Sequence, residues 1–154
     1  RPWMSTLDRG LKADPTVGER LILEITENSA MLVPEIVIGF MSDLQKRGIA
    51  FALDDFGAGF TALRHFKQFQ FDILKIDGQF IRNIHADPDN QVLTQAILAI
   101  AQQFDMFTVA ENVENAEDVS ALTAMGVDCL QGYFFGAPTV SPGWLDGRKA
   151  RASA

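Results

Sequence analysis

The chain has 154 residues, 47% hydrophobic and 21% charged, the composition of one globular domain with a core of its own. Its formal net charge of −7 excludes the basic face of a nucleic-acid polymer binder, yet leaves room for an anionic small ligand held through metal ions. A single cysteine, Cys129, excludes an internal disulfide and points to a reducing, cytoplasmic setting, and no apolar run reaches the roughly 18 residues of a membrane helix.

Residues 20–26, RLILEIT, are rich in Leu and Ile and predict a buried strand. In 34–48, Ile36, Val37, Phe40, Met41 and Leu44 recur at helical spacing, and Gly48 ends the pattern. Residues 49–53, IAFAL, predict a second strand, followed by Asp54, Asp55 and a loop with Gly57 and Gly59. One or two helical turns are expected over 61–69, and a third strand over 71–77. The strongest helix covers 87–104, with Asp87 as N-cap, Pro88 in the first turn, and an apolar face from Val92 to Phe104. A strand over 106–111, a helix over 115–126 capped by Asn115 and closed by Gly126, and a last strand over 127–135 follow. The segment 141–154 reads as a polar C-terminal tail.

Apolar strands alternating with helices predict a parallel sheet covered by helices, an α/β fold. The polar residues of these strands gather at their C-terminal ends. Glu24 lies near the end of the first, Asp54 and Asp55 end the second, Lys75 and Asp77 close the third, Glu111 ends the fourth, and Gln131 sits in the fifth. A (β/α) barrel collects its catalytic groups at that end. Adjacent carboxylates facing one cavity repel, and divalent cations relieve the repulsion. A hard set of oxygen donors suits Mg²⁺ or Mn²⁺, and two such ions can clamp a phosphoryl group.

Asp55-Phe56-Gly57 also spells a protein-kinase signature. The residues ahead of it hold no His-Arg-Asp catalytic loop and no glycine-rich nucleotide loop, so the kinase reading is excluded.

The pieces LILEITE (21–27), ALDDFGAGF (52–60), LKIDGQFI (74–81), VAENVE (109–114) and LQGYFFGAP (130–138) resemble, in order and spacing, the EAL domains, phosphodiesterases of the bacterial second messenger cyclic di-GMP. The resemblance implies a modified TIM-type barrel that uses Mg²⁺ or Mn²⁺, two ions in the intact domain, to hydrolyse cyclic di-GMP to linear pGpG. It makes Glu24 a metal ligand, Asp54 a bridge between the ions, and Asp55 a ligand of the second. Lys75 orients the attacking water or steadies the phosphate, with Asp77 beside it. Glu111 binds the second metal or acts as general base. Gln131 lines the substrate pocket, and Glu27 braces the glycine loop, with Gly57 and Gly59, that leads to a homodimer contact.

Asn112 stands where the family usually has Gly, and of the side chains that could replace glycine at positive φ, Asn is among the best tolerated. The Glu-Ala-Leu segment that names the family is not in these residues, and the chain has no initiator methionine. The expectation is therefore residues 1–140 as an N-terminally truncated EAL-type domain, a partial (β/α) TIM-type barrel of about five mostly parallel strands. It would be the C-terminal part of a bacterial cytoplasmic phosphodiesterase, with a sensory or cyclase domain upstream. The truncated chain is expected to be weak or inactive in isolation. The alternative is a non-catalytic EAL-type module that binds cyclic di-GMP or a protein partner.

Overall fold

A computed structural model describes residues 2–57 and 68–140. Five strands form one parallel sheet in chain order: β1 (Ile22–Thr26), β2 (Ala50–Phe56), β3 (Ile73–Ile76), β4 (Phe107–Ala110) and β5 (Cys129–Leu130). Each strand lies beside its neighbour in sequence, as in the wall of a (β/α) barrel. Helices α1 (Pro2–Ala13), α2 (Glu27–Leu32), α3 (Pro34–Gln45), α4 (Gly78–Ile81), α5 (Pro88–Gln103) and α6 (Ala116–Met125) accompany them. The fold is α/β, a partial barrel.

The two faces of the sheet differ because side chains alternate along a strand. Phe51 and Leu53 of β2, Leu74 and Ile76 of β3, and Ala110 of β4 are fully buried. They belong to one core with Met41 and Leu44 of α3, Ile97, Leu98 and Ala101 of α5, and Leu122 of α6. The opposite face carries Ile22, Glu24, Ala52, Asp54, Ile73, Lys75 and Phe107 in adjoining register. Ile22 and Phe107 on that face remain about half exposed, at 54% and 49%. It is the face that a closed barrel would turn inward.

Local chemistry explains the element ends. Asp87 caps α5 by accepting from the Asn90 amide at 3.0 Å. Asn115 caps α6 by accepting from the Asp118 amide at 2.7 Å, and Gly126 ends that helix at φ +87°. Two acids just ahead of strands seal the amides of neighbouring strands. Asp72 Oδ2 accepts from the Phe51 amide and Asp128 Oδ2 from the Thr108 amide, each at 2.8 Å.

The structure corrects several expected boundaries. The last strand does not span 127–135: it is confined to Cys129–Leu130, pairing with Val109 and Ala110. The apolar residues beyond it fold into turns, with the Phe134 amide donating to Val113 O at 3.1 Å. β2 extends through Asp54 and Asp55 to Phe56 rather than stopping at Leu53, and α3 stops at Gln45. Helices α1 and α2 were not expected. Trp3, Leu7 and Leu11, four residues apart, are the signal for α1; Leu11 is buried and Trp3 packs edge-on to Phe40. The tail 141–154, most of the turns expected over 61–69, and Gly59 lie outside the described residues. Among the described residues no helix is long and apolar enough to cross a membrane.

Candidate metal centre and active site

Two aspartates in succession on a regular strand would point to opposite faces. Here β2 departs from regularity where they lie. Leu53 pairs with Leu74 but Phe56 with Ile76, so β2 spends three steps where β3 spends two. The extra residue is a bulge, and Asp55 takes left-handed backbone at φ +55°. That break lets both carboxylates serve one site. An oxygen of Asp54, one of Asp55 and one of Glu111 lie within 4.8 Å of one another, the spacing of a shared cation site.

Lys75 is the hub of the cluster. Its ammonium, on a residue only 7% exposed, lies 2.8 Å from Asp54 Oδ1, 2.8 Å from Glu111 Oε1 and 3.1 Å from Glu24 Oε2. Burial alone would lower its pKa, but the carboxylates of Asp54, Glu111 and Glu24 around the ammonium outweigh burial and raise it. The surrounding carboxylates thus favour the charged form of Lys75. One ammonium does not balance the surrounding acids. Burial, then the charges of Asp54 and Asp77, push the Asp55 carboxyl up. Burial pushes Glu111 up as well, against the opposing pull of Lys75.

The donor set fits a divalent cation. Asp54 Oδ1 is buried, and despite the close Lys75 ammonium it makes no hydrogen bond of ordinary geometry. A buried carboxylate oxygen in that state has a lone pair free for a metal. Asp54, Asp55 and Glu111 are the group that can hold the ion. Glu24, joined to them through Lys75, has a side chain 51% exposed on the edge strand β1.

The remaining expected residues are placed as follows. Asp77 caps α4, accepting from the Gln79 amide at 2.7 Å, and reaches the cluster through its field on Asp55. Glu27 is 2% exposed, and its Oε2 accepts from the Gly57 amide at 3.2 Å. Gly57 has φ +101°, and a Cβ there would press into the Phe80 ring. Gln131 donates its amide to Ala110 O at 2.8 Å and lines a cavity of about 470 Å³ with Glu111, Asn112 and Tyr133. A larger cleft of about 710 Å³, bordered by Phe69–Asp72 and Phe104–Met106, lies at the other end of the strands, away from the carboxylates.

Sequence reasoning passed over one buried cluster. Asp118, 1% exposed, accepts from the Asn83 and His85 amides at 3.1 Å, from Asn115 Nδ2 at 2.8 Å, and lies 2.7 Å from His85 Nδ1. Its only sequence signal was an acid in the first turn of a helix.

Comparison with known proteins places these features in a family. The EAL domain model matches residues 1–138. The chain is 38% identical over 119 residues to cyclic di-GMP phosphodiesterase PdeF of Escherichia coli K12, covering 77% of this chain and 16% of that protein. It is 34% identical over 116 residues to cyclic di-GMP phosphodiesterase PdeR of the same organism, covering 75% and 18%. The chain therefore spans less than a fifth of the length of these two relatives. Among solved structures, the PaMucR phosphodiesterase in complex with c-di-GMP superposes with a TM-score of 0.82 at 30% identity, over 92% of this chain and 57% of that one. The manganese and cy-diGMP complex of Klebsiella pneumoniae BlrP1 gives 0.74 at 28% identity, over 79% and 31%. The chain belongs to the EAL domain family.

Proposed function

We propose that this chain carries the carboxylate and lysine side of a phosphodiesterase site that hydrolyses cyclic di-GMP to linear pGpG. The observation that supports this reading is the convergence of Asp54, Asp55 and Glu111 within 4.8 Å around a buried lysine at the C-terminal ends of parallel strands. Asp54 and Asp55 would hold Mg²⁺ or Mn²⁺, with Glu111 able to complete the set and Glu24 able to add a ligand from β1. A bound divalent ion supplies charge neutralisation at the phosphate and a water made acidic enough to attack it. Lys75 stays protonated and steadies charge that develops on the phosphate oxygens. Where Glu111 is not spent on an ion, its carboxylate beside Lys75 would take the proton of the attacking water. Gln131 and the cavity beside it receive the nucleotide. Glu27 holds the backbone at Gly57, and the intact domain pairs as a homodimer. A sensory or cyclase domain stands upstream in the parent protein.

A second reading, nucleotide binding without turnover, is favoured for the isolated chain by one feature. Glu24 lies on an edge strand with its side chain half exposed, so that side of the site is open. Incubation of the purified chain with cyclic di-GMP and Mn²⁺, followed by chromatography for pGpG, separates the two. Robust conversion supports the hydrolase in this chain alone. Binding without conversion supports the open, non-catalytic site in this chain, and neither binding nor conversion defeats that second reading.

A further inference from the structure

Glu111 follows β4, and the residue after it, Asn112, has left-handed backbone at φ +56°. Asparagine enters that region at lower cost than most side chains. Its own side chain is spent on a neighbour. A Cβ built on Gly78 would fall 2.8 Å from Asn112 Cβ and 2.7 Å from Cγ, and closer still to Nδ2. Real atoms do not approach so closely, so Gly78 is glycine where Asn112 is asparagine. Gly78 directly follows Asp77 and stands three residues beyond Lys75. The turn that ends β3 and the turn that ends β4 therefore interlock: a side chain on one fills the space left by a missing side chain on the other. Lys75 and Glu111, 2.8 Å apart, are the charged groups that these two turns carry.

We infer that Asn112 is a positioning residue, a wedge over Gly78 that sets the distance between Glu111 and Lys75 and so the shape of the carboxylate site. The inference rests on the metal-site reading above. It makes a reciprocal demand on size. Emptying position 112 leaves the two turns free to shift, and filling position 78 forces them apart. Making both changes restores the fit, because the new methyl takes up part of the vacated space. Displacements well under an ångström matter for ligand atoms that share an ion.

The test is Mn²⁺ titration calorimetry on the chain and three variants: Asn112→Gly, Gly78→Ala and the pair. Glycine enters the left-handed region without steric strain, so Asn112→Gly removes the wedge without distorting the turn. Each single change is expected to weaken Mn²⁺ binding roughly tenfold, the usual cost of disturbing a group that orients a metal ligand. The pair is expected to return to within about threefold of the parent, a non-additivity that only coupled positions show. Where cyclic di-GMP is turned over, kcat should follow the same order with KM little changed. Losses that multiply in the pair, or an Asn112→Gly chain indistinguishable from the parent, overturn the inference. So does a pattern in which thermal midpoints fall but Mn²⁺ affinity holds, since that is a packing contact alone. A chain that binds Mn²⁺ but leaves cyclic di-GMP intact favours the reading without turnover, while the cycle still decides this one. A parent chain that binds no Mn²⁺ defeats both.

Discussion

Two clusters of acids in this chain are built on opposite principles. Around Asp118, the protein supplies every partner: the amides of Asn83 and His85, the Asn115 carboxamide and the His85 ring all turn toward one carboxylate. Burial would raise the Asp118 pKa, yet these hydrogen bonds outweigh it and hold the carboxyl below its ordinary range. Around Lys75 the protein supplies too little. Three carboxylates share one ammonium, and Asp55 and Glu111 are pushed up. A satisfied acid is a clamp, here joining α6 to the turn at Ile84–Ala86. An unsatisfied set of acids waits for a cation from outside. The difference lies in who provides the compensating charge, and removing that charge should separate the two regions.

The largest effect is expected at Asp55. Asp55→Asn should lower turnover of cyclic di-GMP at saturating Mn²⁺ by roughly 10²-fold or more, in whichever form of the protein is active. Unchanged turnover in a steady-state assay would remove Asp55 from the site.

Lys75→Met comes next. It leaves Glu24, Asp54 and Glu111 without their ammonium and should destabilise the metal-free chain by about 3 kcal/mol. Urea unfolding in EDTA measures that loss, and Mn²⁺ should recover part of it. Equal losses with and without Mn²⁺ would mean that no ion enters the cluster.

Asp118→Ala should cost about 2 kcal/mol by stranding buried donors, with no recovery by Mn²⁺. The same clamp carries a pH dependence. Because the folded carboxyl is held below its ordinary value of 3.8, its stabilisation is complete above that pH. It is lost as pH falls through the depressed folded value. The stability gap between the parent and Asp118→Asn should therefore narrow below about pH 4. A gap that stays constant down to about pH 2 would show that the carboxylate charge contributes nothing.

The smallest effect belongs to an exposed pair. Arg20 and Asp14 lie 3.3 Å apart with side chains 65% and 50% exposed. Arg20→Ala should leave the urea unfolding midpoint essentially unchanged. A loss as large as that at Asp118 would mean that exposure is a poor guide to which charges matter here.

Much of this was legible in the chain by itself, because it depends on neighbours in sequence. Strand and helix order follows from apolar period, and the caps Asp87, Asn115 and Gly126 act within one turn of their own positions. The placement of Glu24, Asp54, Lys75 and Glu111 at strand ends needed only the strands. The short β5 was not legible, since Tyr133, Phe134 and Phe135 read as strand while the pairing available to them ends at Ala110. The site's shape was decided in three dimensions. Alternation alone would send Asp54 and Asp55 to opposite faces, and only the bulge against β3 brings them together. Lys75 finds three acids from three other strands through parallel register, which no local pattern encodes. Asn112 and Gly78, thirty-four positions apart in the numbering, meet only because β3 and β4 are neighbours. Periodicity records what each residue does to its own backbone. Which side chains then share a cavity is fixed by long-range packing.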